Sequence, residues 1–170
     1  MSLVNPEDRL RPARKSSAAR ERPSGLLVAS GGGHLLQLVH LAAGLPEADW
    51  IWVTFPTSDA EHLLAGRRVI HAHHPTNRSL RNLVRNTFLA IRLIRTHRAR
   101  VVISTGAGVA VPFIWVGRVL GCRVIYVESF ARTHGLSLTC RLVRPIAHRV
   151  FVQWPDAAGA RGVEYHGSIF

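Results

Sequence analysis

From residue 25 onward, short runs of apolar residues alternate with longer amphipathic stretches, and glycine or proline marks most of the junctions. The runs GLLVAS (25–30), DWIWVTF (49–55), RVIHAH (68–73), ARVVIST (99–105), CRVIYVES (122–129) and RVFVQW (149–154) read as strands. Between them, HLLQLVHLAAGL (34–45), TSDAEHLLAG (57–66), SLRNLVRNTFLAIRLIRTHR (79–98), VAVPFIWVGRVLG (109–121) and SLTCRLVRPIAH (137–148) read as helices, the last broken at Pro145. Near-continuous apolar strands need cover on both faces, and a helix after each strand supplies it. The pattern predicts an α/β fold: an open parallel sheet with helices on both faces. A length of 170 residues suits one domain with a real core and is short for two. That domain is expected over 25–170. Residues 1–24, rich in Arg, Pro, Ser and Ala, are expected to be a disordered basic arm, and they lack the apolar core of a secretory signal.

Charge narrows the partners. The formal net charge is +12, and Lys15 is the only lysine, so the positive charge is carried by arginine. No Asp or Glu occurs from His62 to Val127, a stretch that holds Arg67, Arg68, Arg78, Arg81, Arg85, Arg92, Arg95, Arg98, Arg100, Arg118 and Arg123. Such a one-signed field implies an anionic partner: a phosphorylated ligand, an anionic membrane or nucleic acid. Cys122 and Cys140 form neither a ligand spacing nor a disulfide framework, which suits a reducing compartment. The longest apolar stretch, 109–121, is too short to span a bilayer and carries Arg118.

In open parallel sheets, ligands bind beyond the carboxyl ends of the strands. Three loops are expected there: Gly31–His34, Thr105–Gly108 and Glu128–Arg132. The first follows a strand and opens a helix, but it is not a dinucleotide fingerprint. Counting from Gly31 and Gly33, the third glycine position is Leu36, and the second strand ends Thr54-Phe55-Pro56 without an acid for a ribose. A P-loop requires a lysine that the fold lacks. His71, His73 and His74 have no nearby Cys or acid set, so no metal is expected, and no cofactor. What remains is backbone that a ligand can approach closely, followed by a helix N-terminus suited to an anion. His34, on the first helical turn, is a candidate base or anion ligand. A plain strand-to-helix turn would also explain the glycines.

Three motifs occur in order: VASGGGH (28–34), STGAGVAVPF (104–113) and YVESFAR (126–132), followed by FVQWP (151–155) and YHGSIF (165–170). In this order and spacing the chain resembles the Alg14-like family, which includes the eukaryotic Alg14 subunit and bacterial relatives of the PssD and CpsF types. The resemblance covers about residues 25–170. The chain also resembles the N-terminal half of MurG, which has a comparable glycine-histidine loop. The resemblance implies a split glycosyltransferase of the GT-B type. In it, this chain would be the Rossmann-like domain that binds a polyprenyl-diphosphate-linked acceptor and the cytoplasmic face of the membrane. An Alg13-like (PssE-like) partner would bind the UDP-sugar. By position, Gly31, Gly32, Gly33, Thr105, Gly106, Gly108 and Arg132 would bind acceptor or phosphate, and His34 and Glu128 would be catalytic. Glu128 is the only acid between Glu61 and Asp156, so it either orients His34 or a sugar hydroxyl, or pairs with Arg132 or Arg123. Eukaryotic members carry an N-terminal membrane helix where this chain has a basic arm, so anchoring is expected to be peripheral or supplied elsewhere.

Over 78–98, a helical wheel places Leu80, Leu83, Val84, Thr87, Ala90, Ile91 and Ile94 on an expected core face. The opposite face carries Arg78, Arg81, Arg85 and Arg92 with Phe88, Leu89 and Leu93. Arginines interleaved with apolar side chains suit an interfacial helix on anionic lipid, so Arg81, Arg85, Phe88, Leu89 and Arg92 are the expected membrane contacts. The competing class is a basic polyanion- or nucleic-acid-binding module. Few aromatics and no recognition motif weigh against it, and no nucleic acid is expected.

Overall fold

The computed structural model describes residues 24–170; the expected basic arm lies outside the described residues except for Ser24, which begins the first strand. The elements run β1 (Ser24–Ala29), α1 (Gly33–Ala43), β2 (Asp49–Thr54), α2 (Ser58–Leu63), β3 (Val69–His71), α3 (Leu80–Thr96) and β4 (Val101–Gly106). They continue with α4 (Ala110–Val119), β5 (Arg123–Val127), α5 (Leu138–Val143), β6 (Arg149–Val152), a 3-10 turn (Pro155–Ala157) and β7 (Glu164–Tyr165). The sheet order is β3-β2-β1-β4-β5-β6-β7, and every pairing is parallel. The open parallel sheet is as expected. β7 was not expected: its two residues pair with Phe151 and Val152, and the half-buried Glu164 meets Arg149 of β6 at 2.6 Å.

Two apolar layers cover the sheet. On one face, Leu35 and Leu38 of α1 and Ala60 and Leu64 from the α2 segment pack on Leu27, Ala29, Trp52 and Ile103. On the other, Ala90, Leu93 and Ile94 of α3, Phe113 and Ile114 of α4, and Cys140 and Val143 of α5 pack on Leu26, Val28, Val102, Val124 and Val150. Strand order reverses between β1 and β4. At such a switch point the two following loops diverge to opposite faces and leave a crevice between them.

The orientation of α3 corrects the sequence reading. Its buried residues are Asn82, Asn86, Ala90, Leu93 and Ile94, with Leu89 partly buried beside them. Leu80, Leu83, Val84 and Phe88, three of them expected in the core, are exposed. Leu89 and Leu93, expected outside, turn inward. The cause is polar. Asn86 brackets His73, accepting from its N–H at 2.8 Å and donating to its carbonyl at 2.9 Å, and Asn82 donates to the Pro75 carbonyl at 2.8 Å. These bonds satisfy the backbone of the β3–α3 loop, which would be costly to bury unpaired. A hydrophobic wheel cannot see two asparagines as a core face.

Candidate functional site

At the crevice, β1 delivers the glycine loop and β4 delivers Thr105 and Gly106. His34, on the first turn of α1, is fixed from both of its ends. Its ring Nδ1 lies 2.8 Å from the Thr105 carbonyl, and its own carbonyl accepts from Thr105 Oγ1 at 2.7 Å. A carbonyl can only accept, so Nδ1 carries the proton, and in the neutral ring the lone pair is on Nε2. Gly106 lies against the ring. Its φ is 108°, and a Cβ there would come within 3.0 Å of His34 Cε1 and Nδ1, so this position requires glycine.

A cavity of about 270 Å³ opens at this point, lined by His34, Ala107, Tyr126, Glu128, Ser129, Ala131, Arg132, Ser137 and Thr139. The loops after β1, β4 and β5 therefore do meet at one rim. Arg132 is exposed on the wall, and among the described residues its guanidinium has no protein partner. Glu128 is buried, and its carboxylate is occupied. Oε1 accepts from the Tyr126 hydroxyl at 3.3 Å and the Ser129 N–H at 2.9 Å, and Oε2 accepts from the Ser137 N–H at 2.9 Å. It makes no ion pair with Arg132 or Arg123 among the described residues, and no hydrogen bond to His34. Its bonds tie the two ends of the 129–137 loop together. Burial, followed by the nearby Glu128 charge, pushes the Tyr126 hydroxyl well above its ordinary range and the Cys140 thiol up to about 12.

Two positioning residues escaped the sequence reading. Gln37, buried on α1, donates to the Glu128 carbonyl at 2.8 Å and accepts from the Phe130 N–H at 2.9 Å, which joins α1 to the post-β5 loop. The only signal was one glutamine among leucines on a core-facing turn. Asp59 of α2 accepts the Gly32 N–H at 2.6 Å, and that bond holds its carboxyl below the ordinary aspartate range. One donor of the expected anion loop is thus already taken by a carboxylate. Helix α1 itself has no acidic residue in its first turn and no side-chain cap. Thr105, expected to face a ligand, is fully buried against His34. Gly108 packs on Thr76 and lines a second cavity.

This second cavity is a groove of about 810 Å³ between the Thr76–Leu80 segment, Leu83, Val111, Leu138 and Leu142, and it shares Ala107 and Thr139 with the first. It opens on the α3–α4–α5 layer. Eight of the eleven large apolar side chains exposed among the described residues lie on those three helices: Leu80, Leu83, Val84, Phe88, Trp115, Val119, Leu138 and Leu142. The same helices carry exposed Arg81, Arg85, Arg92, Arg118 and Arg141 and no acid. One-sided clustering of this kind marks an interaction surface rather than scattered exposure. Among the described residues, no helix is long and apolar enough to cross a membrane.

The family described as "Oligosaccharide biosynthesis protein Alg14 like" matches residues 53–169, which leaves β1 and the glycine loop outside the matched span. The UDP-N-acetylglucosamine transferase subunit ALG14 of Cryptococcus neoformans is 41% identical over 75 residues, 41% of this chain and 33% of that protein. The Eremothecium gossypii ALG14 is 39% identical over 107 residues, 56% of this chain and 47% of that protein. The chain thus spans a third to a half of the length of these curated relatives. Among solved structures, Acinetobacter baumannii MurG superposes with a TM-score of 0.70 at 20% identity, covering 84% of this chain and 45% of that one. A UDP-N-acetylglucosamine 2-epimerase from Rickettsia bellii gives 0.66 at 8% identity, covering 87% and 45%. At these identities the likeness speaks for the fold alone.

Proposed function

The chain belongs to the Alg14-like family, and on that premise we propose that it is the acceptor-binding, membrane-associating subunit of a two-component glycosyltransferase acting in lipid-linked oligosaccharide or polysaccharide synthesis. Its acceptor is a polyprenyl-diphosphate-linked sugar. The UDP-sugar is held mainly by an Alg13-like partner subunit, and the sugar transferred is a hexose or N-acetylhexosamine. UDP-N-acetylglucosamine is the first donor to test, since the ALG14 relatives are named for that transfer.

The observation that carries this reading is the convergence, in one pocket at the switch point, of His34 with a free Nε2 and Arg132 with a free guanidinium. In the reaction, the acceptor hydroxyl oxygen attacks the anomeric carbon as the bond from that carbon to the UDP oxygen breaks. The hydroxyl proton passes to His34 Nε2, and UDP leaves with the electron pair. Arg132 faces the acceptor diphosphate, with the Ser129, Ser137 and Thr139 hydroxyls around it. Glu128 contributes by holding the 129–137 loop that presents Arg132. Attachment is peripheral, on the cytoplasmic face, through the apolar and arginine-bearing α3–α5 layer. Arg81, Arg85, Phe88 and Arg92 belong to that surface, whereas Leu89 supports it from below.

The test is reconstitution. With a donor-binding partner subunit, the full chain should transfer labelled sugar from UDP-N-acetylglucosamine to a polyprenyl-diphosphate acceptor, and Arg132→Ala should raise KM for the acceptor more than it lowers kcat. Equal donor turnover without the acceptor, or without this chain, would overturn the assignment.

A further inference from the structure

We propose that the groove between α3, α4 and α5 holds the first isoprene units of the acceptor lipid, with its diphosphate in the His34 pocket; the inference rests on the acceptor-binding reading above. The two cavities adjoin, because Ala107 and Thr139 line both. Their walls differ in chemistry. The smaller presents His34 and Arg132, and the larger presents Leu80, Leu83, Val111 and Leu138. A ligand that fills both must join an anionic head directly to an apolar tail. Charge supports the head end: Arg132 lines the smaller cavity, and among the described residues the only carboxylate lining either cavity is Glu128, whose oxygens are already bonded, while Arg78 belongs to the polar Thr76–Ser79 part of the groove wall.

Leu80 and Leu138, at 74% and 73% exposure, stand largely in water, and a hydrocarbon chain between them would remove that apolar surface from solvent. The groove is walled by the same helices that carry the exposed Val84 and Phe88, so the rest of a long chain would leave it on the layer read as the membrane contact. The groove's volume lies within the usual range for small-molecule sites, and its accessible lining is mostly apolar, with polar groups from Thr76–Ser79 and Thr139.

Calorimetry on the full chain, without detergent, tests the groove with inorganic diphosphate, dimethylallyl diphosphate (one isoprene), geranyl diphosphate (two) and farnesyl diphosphate (three). Affinity should rise about tenfold or more from one isoprene to three, since each added unit moves five carbons out of water. The Leu83→Ser/Leu138→Ser pair, whose side chains are exposed enough to spare the fold, should abolish the rise and leave the binding of inorganic diphosphate unchanged. Phe88→Ser, which lies off the groove, should keep the rise while weakening binding to liposomes. Equal affinity for all the prenyl diphosphates would overturn the groove and leave the acceptor reading standing. A rise that survives in the double variant would place the tail elsewhere and also overturn it. If no diphosphate binds, the acceptor reading itself fails.

Discussion

His34 and Thr105, 71 residues apart in sequence, hold each other by two hydrogen bonds of 2.8 and 2.7 Å across the β1/β4 switch point. The ring is thereby held in one tautomer that leaves the Nε2 lone pair without a protein partner among the described residues, which is what a base acting on a substrate hydroxyl requires. His34→Ala in the reconstituted enzyme should therefore lower kcat by about a hundred- to ten-thousand-fold. The melting temperature of this chain should fall only by the few degrees that loss of about 1 kcal/mol gives. A rate within about threefold of wild type would remove the histidine from the chemistry. Intact kcat with a raised KM would make it a ligand for the acceptor instead.

Glu128 is placed differently. Three donors point at its carboxylate, and Glu128→Ala would leave the Ser129 and Ser137 N–H groups and the Tyr126 hydroxyl without an acceptor in a buried site. The expected cost is about 3 kcal/mol or more, a fall in melting temperature of about 10 °C. Activity should fall with the folded fraction. A Glu128→Ala protein that melts like wild type but does not turn over would put the carboxylate in the reaction.

The difference between these two residues shows what a sequence can carry. Apolar runs and glycine punctuation announce β1 to β6 and the helices between them, because local composition sets those elements. The meeting of His34, Glu128 and Arg132 at one rim follows from parallel topology. Gln37 and Asp59 stayed hidden because their partners lie 91 and 27 residues away, and no local pattern reports such bonds. The two-residue β7 is too short for any periodicity to mark. On α3 the period was sound but the phase was wrong, because Asn82 and Asn86 are buried through hydrogen bonds to the β3–α3 loop.

Asp59 gives a pH dependence. The Gly32 N–H, then the Thr57 side chain, hold its folded-state pKa below the ordinary 3.8. The stabilisation is therefore complete above that value and is lost as pH falls through the lower, folded value. Wild-type melting temperature should drop more steeply than that of Asp59→Asn as the pH is lowered from 5 to about 2. The two curves should run parallel above pH 5. Parallel curves throughout would mean that the carboxylate does not hold the glycine loop in solution.

The corrected orientation of α3 changes which residues should matter at a membrane. Val84→Ser with Phe88→Ser should weaken flotation with anionic liposomes while leaving the melt unchanged, because both side chains are exposed. Leu89→Ser should lower the melting temperature, because Leu89 packs against the core. Flotation should be strong at about 0.05 M salt and weak at about 0.5 M, where screening shortens the reach of the arginines. Full flotation of the double variant would exclude this layer as the contact.

On the proposed function, this chain holds the acceptor and a partner subunit holds the donor. Titration of the isolated chain against both ligands tests it most directly. A soluble prenyl-diphosphate-linked sugar should bind, and UDP-N-acetylglucosamine should show no binding at millimolar concentration. Addition of the partner subunit should bring donor binding and transfer together. Micromolar binding of UDP-N-acetylglucosamine to the isolated chain, with none of the prenyl diphosphate, would contradict the account.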